Sequence, residues 1–138
     1  MKDFIKKNSN IILIIALIFI LPMFIWSGVN KILNFDKKVK TLDGKLPIKL
    51  PRWMENTGMI AVLALEIFGS IILILSAFYY KNRPHFLQLL TNIVIVLFLI
   101  FLVVVTILYH PPGKKMIPFL SNLCDFGAFI LVLCLFNL

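Results

Sequence analysis

Cysteine, histidine and acidic residues are scarce in this sequence. Among its 138 residues are two cysteines, two histidines and six acidic residues. Cys124 and Cys134 lie ten positions apart, about 15 Å along one helix, which is beyond the reach of a disulfide. The sequence also has no Cys-x-x-Cys pair, no metal-ligand spacing of His and Cys, and no glycine-rich phosphate loop. No cofactor or metal site is evident, and an enzyme that works on its own is poorly supported.

Hydrophobic residues, by contrast, are abundant. They form 61% of the chain, against about 45–50% in a soluble domain, and only 14% of the residues are charged. The sequence therefore predicts an integral membrane protein. Its net charge of +8 does not indicate nucleic-acid binding, because the basic residues lie between apolar runs without the interleaved aromatic residues of a base-stacking surface. Anionic lipid headgroups of the bilayer are the expected counter-charge.

The apolar runs predict an all-α fold, a four-helix bundle in one membrane domain over residues 1–138. Each run is long enough to cross a hydrocarbon core of about 30 Å. The predicted helices cover residues 11–33, 58–80, 86–109 and 117–138. Pro22 is expected to kink the first helix, because proline lacks a backbone donor. An even number of spans places both termini on the same side of the membrane.

Two polar segments lie in the first half of the chain. Residues 1–10 and the apolar run after them resemble the start of a signal peptide, but the bulky Trp26 stands where cleavage needs a small residue, so we expect no cleavage. Residues 34–56 contain two prolines and six basic residues and cannot span the membrane. They either lie on the headgroup surface, with Trp53 in the interface, or form a solvated loop.

The predicted second helix carries one carboxylate, Glu66, near its middle. An acidic residue at that depth disfavours insertion by about 2.5–3.5 kcal/mol unless it faces protein or water. Ionisable groups inside a membrane are also functional candidates by default. Glu66 is therefore either a structural acid that ties helices together or a group that binds a ligand or a proton.

Antiparallel threading brings other polar residues to the same side of the bundle. We predict an intramembrane polar cluster of Lys31, Glu66, Asn122, Asp125 and His110. The ammonium group of Lys31 is expected to lie between the carboxylates of Glu66 and Asp125, and Ser121, Asn122 and Asp125 are expected to face inward together. As alternatives, Asp125 and Asn122 only bridge helices, Lys31 extends to the interface, and His110 is an interface residue.

Four short motifs together resemble the DoxX family. They are SGVNKIL at the end of the first helix, LEIFG in the second, TILYHPP closing the third and FLSNLCDFGAFIL in the fourth. The resemblance covers nearly the whole chain from Pro22 onward. It implies a four-helix integral membrane protein with these characteristic positions: Gly28, Lys31, Glu66, Gly69, His110 and Asn122. We expect Gly28, Gly69 and Gly127 at packed helix contacts. The long basic first loop and Asp125 depart from the family's pattern.

The resemblance leaves several functions open. DoxX-like proteins include a subunit associated with thiosulfate:quinone oxidoreductase, partners in membrane redox complexes and, more distantly, secretory cargo receptors and receptor-assembly chaperones. Our first hypothesis is a non-catalytic accessory or assembly subunit whose polar cluster binds or stabilises something within the bilayer. The alternatives are a membrane subunit of a quinone-linked oxidoreductase, with quinone as its cofactor, and a small-solute or proton transporter. The expected partners are the lipid bilayer and another membrane protein or a redox partner, in a membrane that the sequence does not specify.

Overall fold

A computed structural model describes residues 2–114 and 116–138, and the regular secondary structure in these ranges is helical. The α-helices are α1 (Lys2–Leu33), α2 (Phe35–Asp43), α3 (Arg52–Ala64), α4 (Ser70–Phe78), α5 (His85–Tyr109) and α6 (Met116–Phe136). A π-helical turn, Leu65–Gly69, joins α3 to α4 in one continuous rod.

Within the described residues, four stretches are long and apolar enough to cross a membrane, and we refer to them in order as the first to fourth spanning helices. They are Lys7–Leu33, Arg52–Phe78, His85–Tyr109 and Met116–Phe136. The prediction of an all-α membrane bundle with four spanning helices is confirmed. The first spanning helix packs against the second and the fourth, and the third also packs against both.

Three phenylalanines form the centre of the bundle. The rings of Phe24 and Phe98 meet edge to face at 5.0 Å, those of Phe24 and Phe129 at 5.5 Å, and those of Phe98 and Phe129 stack at 4.9 Å. Each ring comes from a different spanning helix, so the cluster joins the first, third and fourth helices. Large apolar side chains such as Phe19 and Phe68 are exposed on the outside, as expected where lipid replaces water as the solvent.

The first two spanning helices begin several residues before the predicted position, and the other two begin one residue before it. The first helix already includes residues 2–10, which contain neither proline nor glycine, and the side chain of Asn8 donates to the carbonyl of Phe4 within the helix, at 3.1 Å. The second begins at Arg52 rather than at residue 58, because Pro51, in an extended conformation, starts a helix that Gly58 does not interrupt. In both cases the helix extends through polar residues that precede the apolar run, and the prediction, which followed the apolar run alone, left them out.

The connection over residues 34–56 contains a helix that the sequence prediction did not include. Only Asn34 separates α2 from α1. Phe35, Val39 and Leu42 share one face of α2, and Val39 is 2% exposed because this face packs on α3 and on the end of α1. The part of the connection that forms α2 is therefore packed on the bundle rather than being a free solvated loop.

The turn between the second and third spanning helices is fastened to the end of α6. The hydroxyl of Tyr80 donates to the carbonyl of Leu135 at 3.1 Å, and Nη2 of Arg83 donates to the carbonyl of Phe136 at 2.9 Å. The guanidinium group also lies over the Phe136 ring, and burial lowers the pKa of Arg83 from its ordinary value. We call these contacts the Tyr80–Arg83 clamp. It adds side-chain donors to two carbonyls of the last turn of α6, of which that of Leu135 also accepts from the backbone N–H of Leu138 at 3.4 Å.

The third spanning helix ends where predicted. His110 follows its last helical residue, Tyr109, and two prolines come next. Gly113 then has a φ of +87°, a left-handed conformation that favours glycine. The chain reverses here and enters α6.

Candidate functional site

Glu66 lies in the π-helical turn of the second spanning helix and is buried. It is about 21 Å along the axis from the start of α3, at about 1.5 Å per residue. A π turn shifts the helix faces on its two sides relative to each other, and such turns are frequent at functional sites. The hydroxyl of Ser70 donates to the main-chain carbonyl of Glu66 at 2.5 Å. The main-chain carbonyl of Glu66 in the π turn therefore has a hydrogen-bond donor in the Ser70 hydroxyl. The Glu66 side chain itself points into the bundle, where it is buried.

Lys31 binds both carboxylate oxygens of Glu66. Its Nζ lies 2.7 Å from Oε1 and 2.8 Å from Oε2. Ser27, one helical turn before Lys31, donates to Oε1 at 3.0 Å and accepts a hydrogen bond from Lys31 at 2.6 Å. The side chains of Lys31 and Glu66 are 16% and 2% exposed. Charge-assisted hydrogen bonds of this kind offset much of the free energy lost when the two charges leave water.

Two glycines allow the helices to approach this ion pair closely. A Cβ atom on Gly28 would lie 2.8 Å from Cγ1 of Ile67 and 3.4 Å from the Cβ of Glu66. A Cβ atom on Gly69 would lie 3.0 Å from Cε2 of Phe98. The first and third spanning helices therefore both contact the π turn through positions where a side chain has no room.

Gly127 does not belong with these glycines. No atom of the residues that the structure describes lies within 4 Å of the position that its Cβ would occupy. The prediction that it packs against a neighbouring helix is wrong, because it lies on the outward face of α6 instead.

Lys31 does not bridge Glu66 and Asp125, as the sequence had suggested. An ammonium group has three donors, and those of Lys31 match the two Glu66 oxygens and the Ser27 hydroxyl. No donor is left for a second carboxylate. Asp125 is half-buried, and its Oδ2 has no hydrogen-bond partner among the residues that the structure describes.

Asp125 nevertheless lies at the same level of the bundle as the ion pair. The contact between Phe24 and Phe129 sets the register of two antiparallel helices. Ser27 is about one turn beyond Phe24, and Asp125 is about one turn before Phe129. Asp125 is therefore beside the site on the fourth helix without being hydrogen-bonded to Lys31 or Glu66.

Asn122 connects the fourth spanning helix to the third. Its Nδ2 donates to Oγ1 of Thr106 at 3.0 Å, and Thr106 in turn donates to the carbonyl of Leu102 at 2.6 Å. Both polar residues line an otherwise apolar groove of about 200 Å³. Ser121 is exposed, so the prediction that it faces inward with Asn122 is wrong. Neighbouring residues on a helix point about 100° apart, and here Asn122 takes the inward direction.

His110 lies at the end of the third helix, outside the ion-pair network. It is half-buried next to Tyr109, and its backbone N–H donates to the carbonyl of Thr106 at 3.1 Å. The hydrogen bonds that join Ser27, Lys31 and Glu66 do not include it. Of the five residues predicted to form one cluster, the structure therefore joins Lys31 and Glu66 directly.

One residue of the site lies outside the five-residue cluster that the sequence predicted. Ser27 links Lys31 to Glu66, and its spacing of four residues from Lys31 is the signal that could have identified it.

The arrangement supports charge pairing and hydrogen bonding. In the described ranges, 2–114 and 116–138, no group of three or more His, Cys, Asp or Glu residues is placed to hold a metal ion. Cys124 and Cys134 are free thiols on exposed positions of α6. Comparison of the chain with protein-family models, with curated proteins and with solved structures finds no match.

Proposed function

We propose that this multi-pass membrane protein is a non-catalytic accessory or assembly subunit that packs against another membrane protein through α6. The four motifs similar to those of DoxX proteins support a role of this type. The observation that carries the proposal is the weak packing of α6 in the bundle. Only 17% of its hydrophobic stretch is buried, compared with 28% to 33% in the other three spanning helices.

The outward face of α6 has the composition of a helix contact. Cys124, Gly127 and Cys134 are exposed along it, and the space beside Gly127 is open. Small residues at such positions let a second helix approach closely, which is how transmembrane helices pack where lipid provides no hydrophobic driving force. A partner helix on this face would bury residues that now face lipid.

The ion pair fits a structural role in such a subunit. Lys31 and Ser27 of the first spanning helix donate hydrogen bonds to the carboxylate oxygens of Glu66 on the second, and each oxygen accepts at least one. The carboxylate is therefore satisfied within the chain, which favours a contact that fixes two helices relative to each other. The rigid pair of helices would then present α6 to its partner.

Gly127→Leu tests this proposal with a matched control. A leucine at Gly127 contacts no described atom of this chain but blocks the outward face of α6, whereas Gly58→Leu enters equally open space beside the second spanning helix. We expect the native chain and Gly58→Leu to co-purify from native membranes with the same stoichiometric membrane protein, and Gly127→Leu to lose it. Purification of the native chain without a stoichiometric partner, or an unchanged complex with Gly127→Leu, would overturn the proposal.

The groove between the third and fourth helices favours a second candidate, a membrane subunit of a quinone-linked oxidoreductase. Its apolar walls suit a quinone ring, and the second amide N–H of Asn122, which is not the one donated to Thr106, can donate to a ring carbonyl. Mass spectrometry of the chain purified in mild detergent tests this role. Bound quinone that is retained in the native chain and lost in Asn122→Leu would support it.

A further inference from the structure

The end of the molecule that carries α2 has a strongly basic surface. Residues 34–56 contain six basic and three acidic residues. Five of the basic side chains are exposed and define what we call the basic face: Lys37, Lys40, Lys45, Lys49 and Arg52. This surface takes no part in the ion pair or in the face of α6 described above.

Packing of α2 determines where its lysines point. Val39 is 2% exposed against the bundle, and Lys37 and Lys40, about 200° and 100° around the helix from it, are exposed. They are three residues apart and therefore neighbours on the helix surface. Packing of α2 on the bundle sets their backbone positions, so the two lysines are carried by a packed helix.

Nearby acidic residues compensate this charge only in part. Oδ1 of Asp36 lies 4.0 Å from Nη2 of Arg52, but the two side chains are 92% and 75% exposed, and such a surface pair is weak. Asp43 is also exposed, whereas Glu55 is buried. The basic face therefore retains an excess of positive charge.

The level of this surface corresponds to the headgroup region of a bilayer. α2 begins directly after Leu33, where the first spanning helix ends, and Arg52 begins the second. Ile48 and Trp53 are 69% and 67% exposed at the same end. Tryptophan at the end of a spanning helix typically lies in the membrane interface, so the adjacent lysines are placed at the level of lipid phosphates.

At the opposite end of the molecule, the turn between the second and third spanning helices has fewer basic side chains that are available to a ligand. There, Lys81 is exposed, but the guanidinium group of Arg83 contacts the carbonyl and the ring of Phe136. The two ends therefore provide a comparison within one chain.

We propose that the basic face binds the headgroups of anionic phospholipids, with a phosphate held between Lys37 and Lys40. Charge complementarity selects this occupant, since clustered lysines beside a spanning helix attract anionic lipids at short range. This inference is independent of the proposed assembly role, because it uses neither α6 nor Glu66. The bound lipids would fix α2 at the membrane surface.

Native mass spectrometry of the full chain, released from nanodiscs of equal parts phosphatidylglycerol and phosphatidylcholine, tests the proposal. We expect several-fold more phosphatidylglycerol than phosphatidylcholine to remain bound. Lys37→Gln/Lys40→Gln should bring the ratio close to one. The matched control, Lys7→Gln/Lys81→Gln, removes two exposed lysines at the opposite end and should keep the ratio of the native chain.

Two further measurements separate this result from other causes. Circular dichroism of the double variant should show unchanged helix content, and Lys37→Arg/Lys40→Arg should keep the lipid preference. Equal retention of the two lipids by the native chain, or an equal loss of preference in the control, would overturn the proposal. Salt-dependent binding of an acidic peptide such as polyglutamate, without any lipid preference, would also overturn it and would assign the face to a protein partner.

Discussion

At the scale of single residues, the site depends on how many donors Lys31 has. Its three ammonium protons match three acceptors, the two oxygens of Glu66 and the hydroxyl of Ser27. The network is closed at this point, which explains why Asp125, at the same level of the bundle, remains outside it. One carboxylate is therefore paired in the bundle and the other keeps an unpaired oxygen.

A double-mutant cycle on Lys31 and Glu66 should show strong coupling. Lys31→Met leaves a buried carboxylate without its cation and should lower the free energy of unfolding by about 3–5 kcal/mol. The double variant Lys31→Met/Glu66→Gln removes both charges, so it should be less destabilised than the sum of the single variants by about 0.5–3 kcal/mol. Thermal stability and folded yield in detergent measure both effects. Strictly additive effects would show that the two residues do not interact.

Alanine substitutions should separate the glycines at helix contacts from those in open space. Gly28→Ala forces a methyl group against Cγ1 of Ile67, a branched side chain with little freedom, and should cost about 1–3 kcal/mol. Gly127→Ala and the control Gly58→Ala meet no atom and should be neutral or stabilising by up to about 1 kcal/mol. Unfolding temperatures in one detergent give the comparison. A stability of Gly28→Ala equal to that of Gly127→Ala would contradict the packing described here.

Sequence alone could pair Lys31 with Glu66, because charge, depth and antiparallel threading agree on it. It could not exclude Asp125, because the number of free donors on Lys31 depends on whether Ser27 accepts one. It also misplaced Gly127, since a small residue on a helix carries no sign of which side it faces. These failures share one cause, which is that the rotation of each helix about its own axis is set by packing.

At the scale of elements, the spanning helices were predictable and the features that modify them were not. A run of apolar residues long enough to cross a bilayer identifies each span, and Pro84 and Gly113 mark the turns. The π turn at Leu65–Gly69 has no composition that distinguishes it from an α-helix. The helix α2 was hidden by its lysines, although Phe35, Val39 and Leu42 have helical spacing.

Removal of the Arg83 side of the clamp should loosen α6. Arg83→Gln deletes a charged donor to the carbonyl of Phe136 and should lower the free energy of unfolding by about 1.5–3 kcal/mol. Hydrogen exchange should rise in the last turns of α6 and remain unchanged at the Lys31–Glu66 site. Lys81→Gln, an exposed position in the same turn, is the control. Equal protection of α6 in the two variants would show that the clamp does not hold the helix.

At the scale of the whole molecule, charge predicts orientation. The connections after the first and third spanning helices carry more lysine and arginine than the opposite side, so the positive-inside rule places them in the cytoplasm and both termini outside or in a lumen. Thr41 is exposed on α2. A cysteine introduced there, in a background with Cys124 and Cys134 replaced by alanine, should react with an impermeant maleimide only after permeabilisation. Labelling in intact cells would reverse the orientation.

The Tyr80–Arg83 clamp also bears on the order of events during synthesis. Its two donors precede their acceptors by 55 and 53 residues. The donors therefore leave the ribosome long before the carbonyls of Leu135 and Phe136 exist, while the three residues that form the ion pair have all been made by the time Glu66 appears. The order of synthesis therefore allows the ion pair between the first two spanning helices to form before the clamp, which needs the last turn of α6. Between these two stages of synthesis, the nascent chain contains the residues of the ion pair but lacks the carbonyls that the clamp needs.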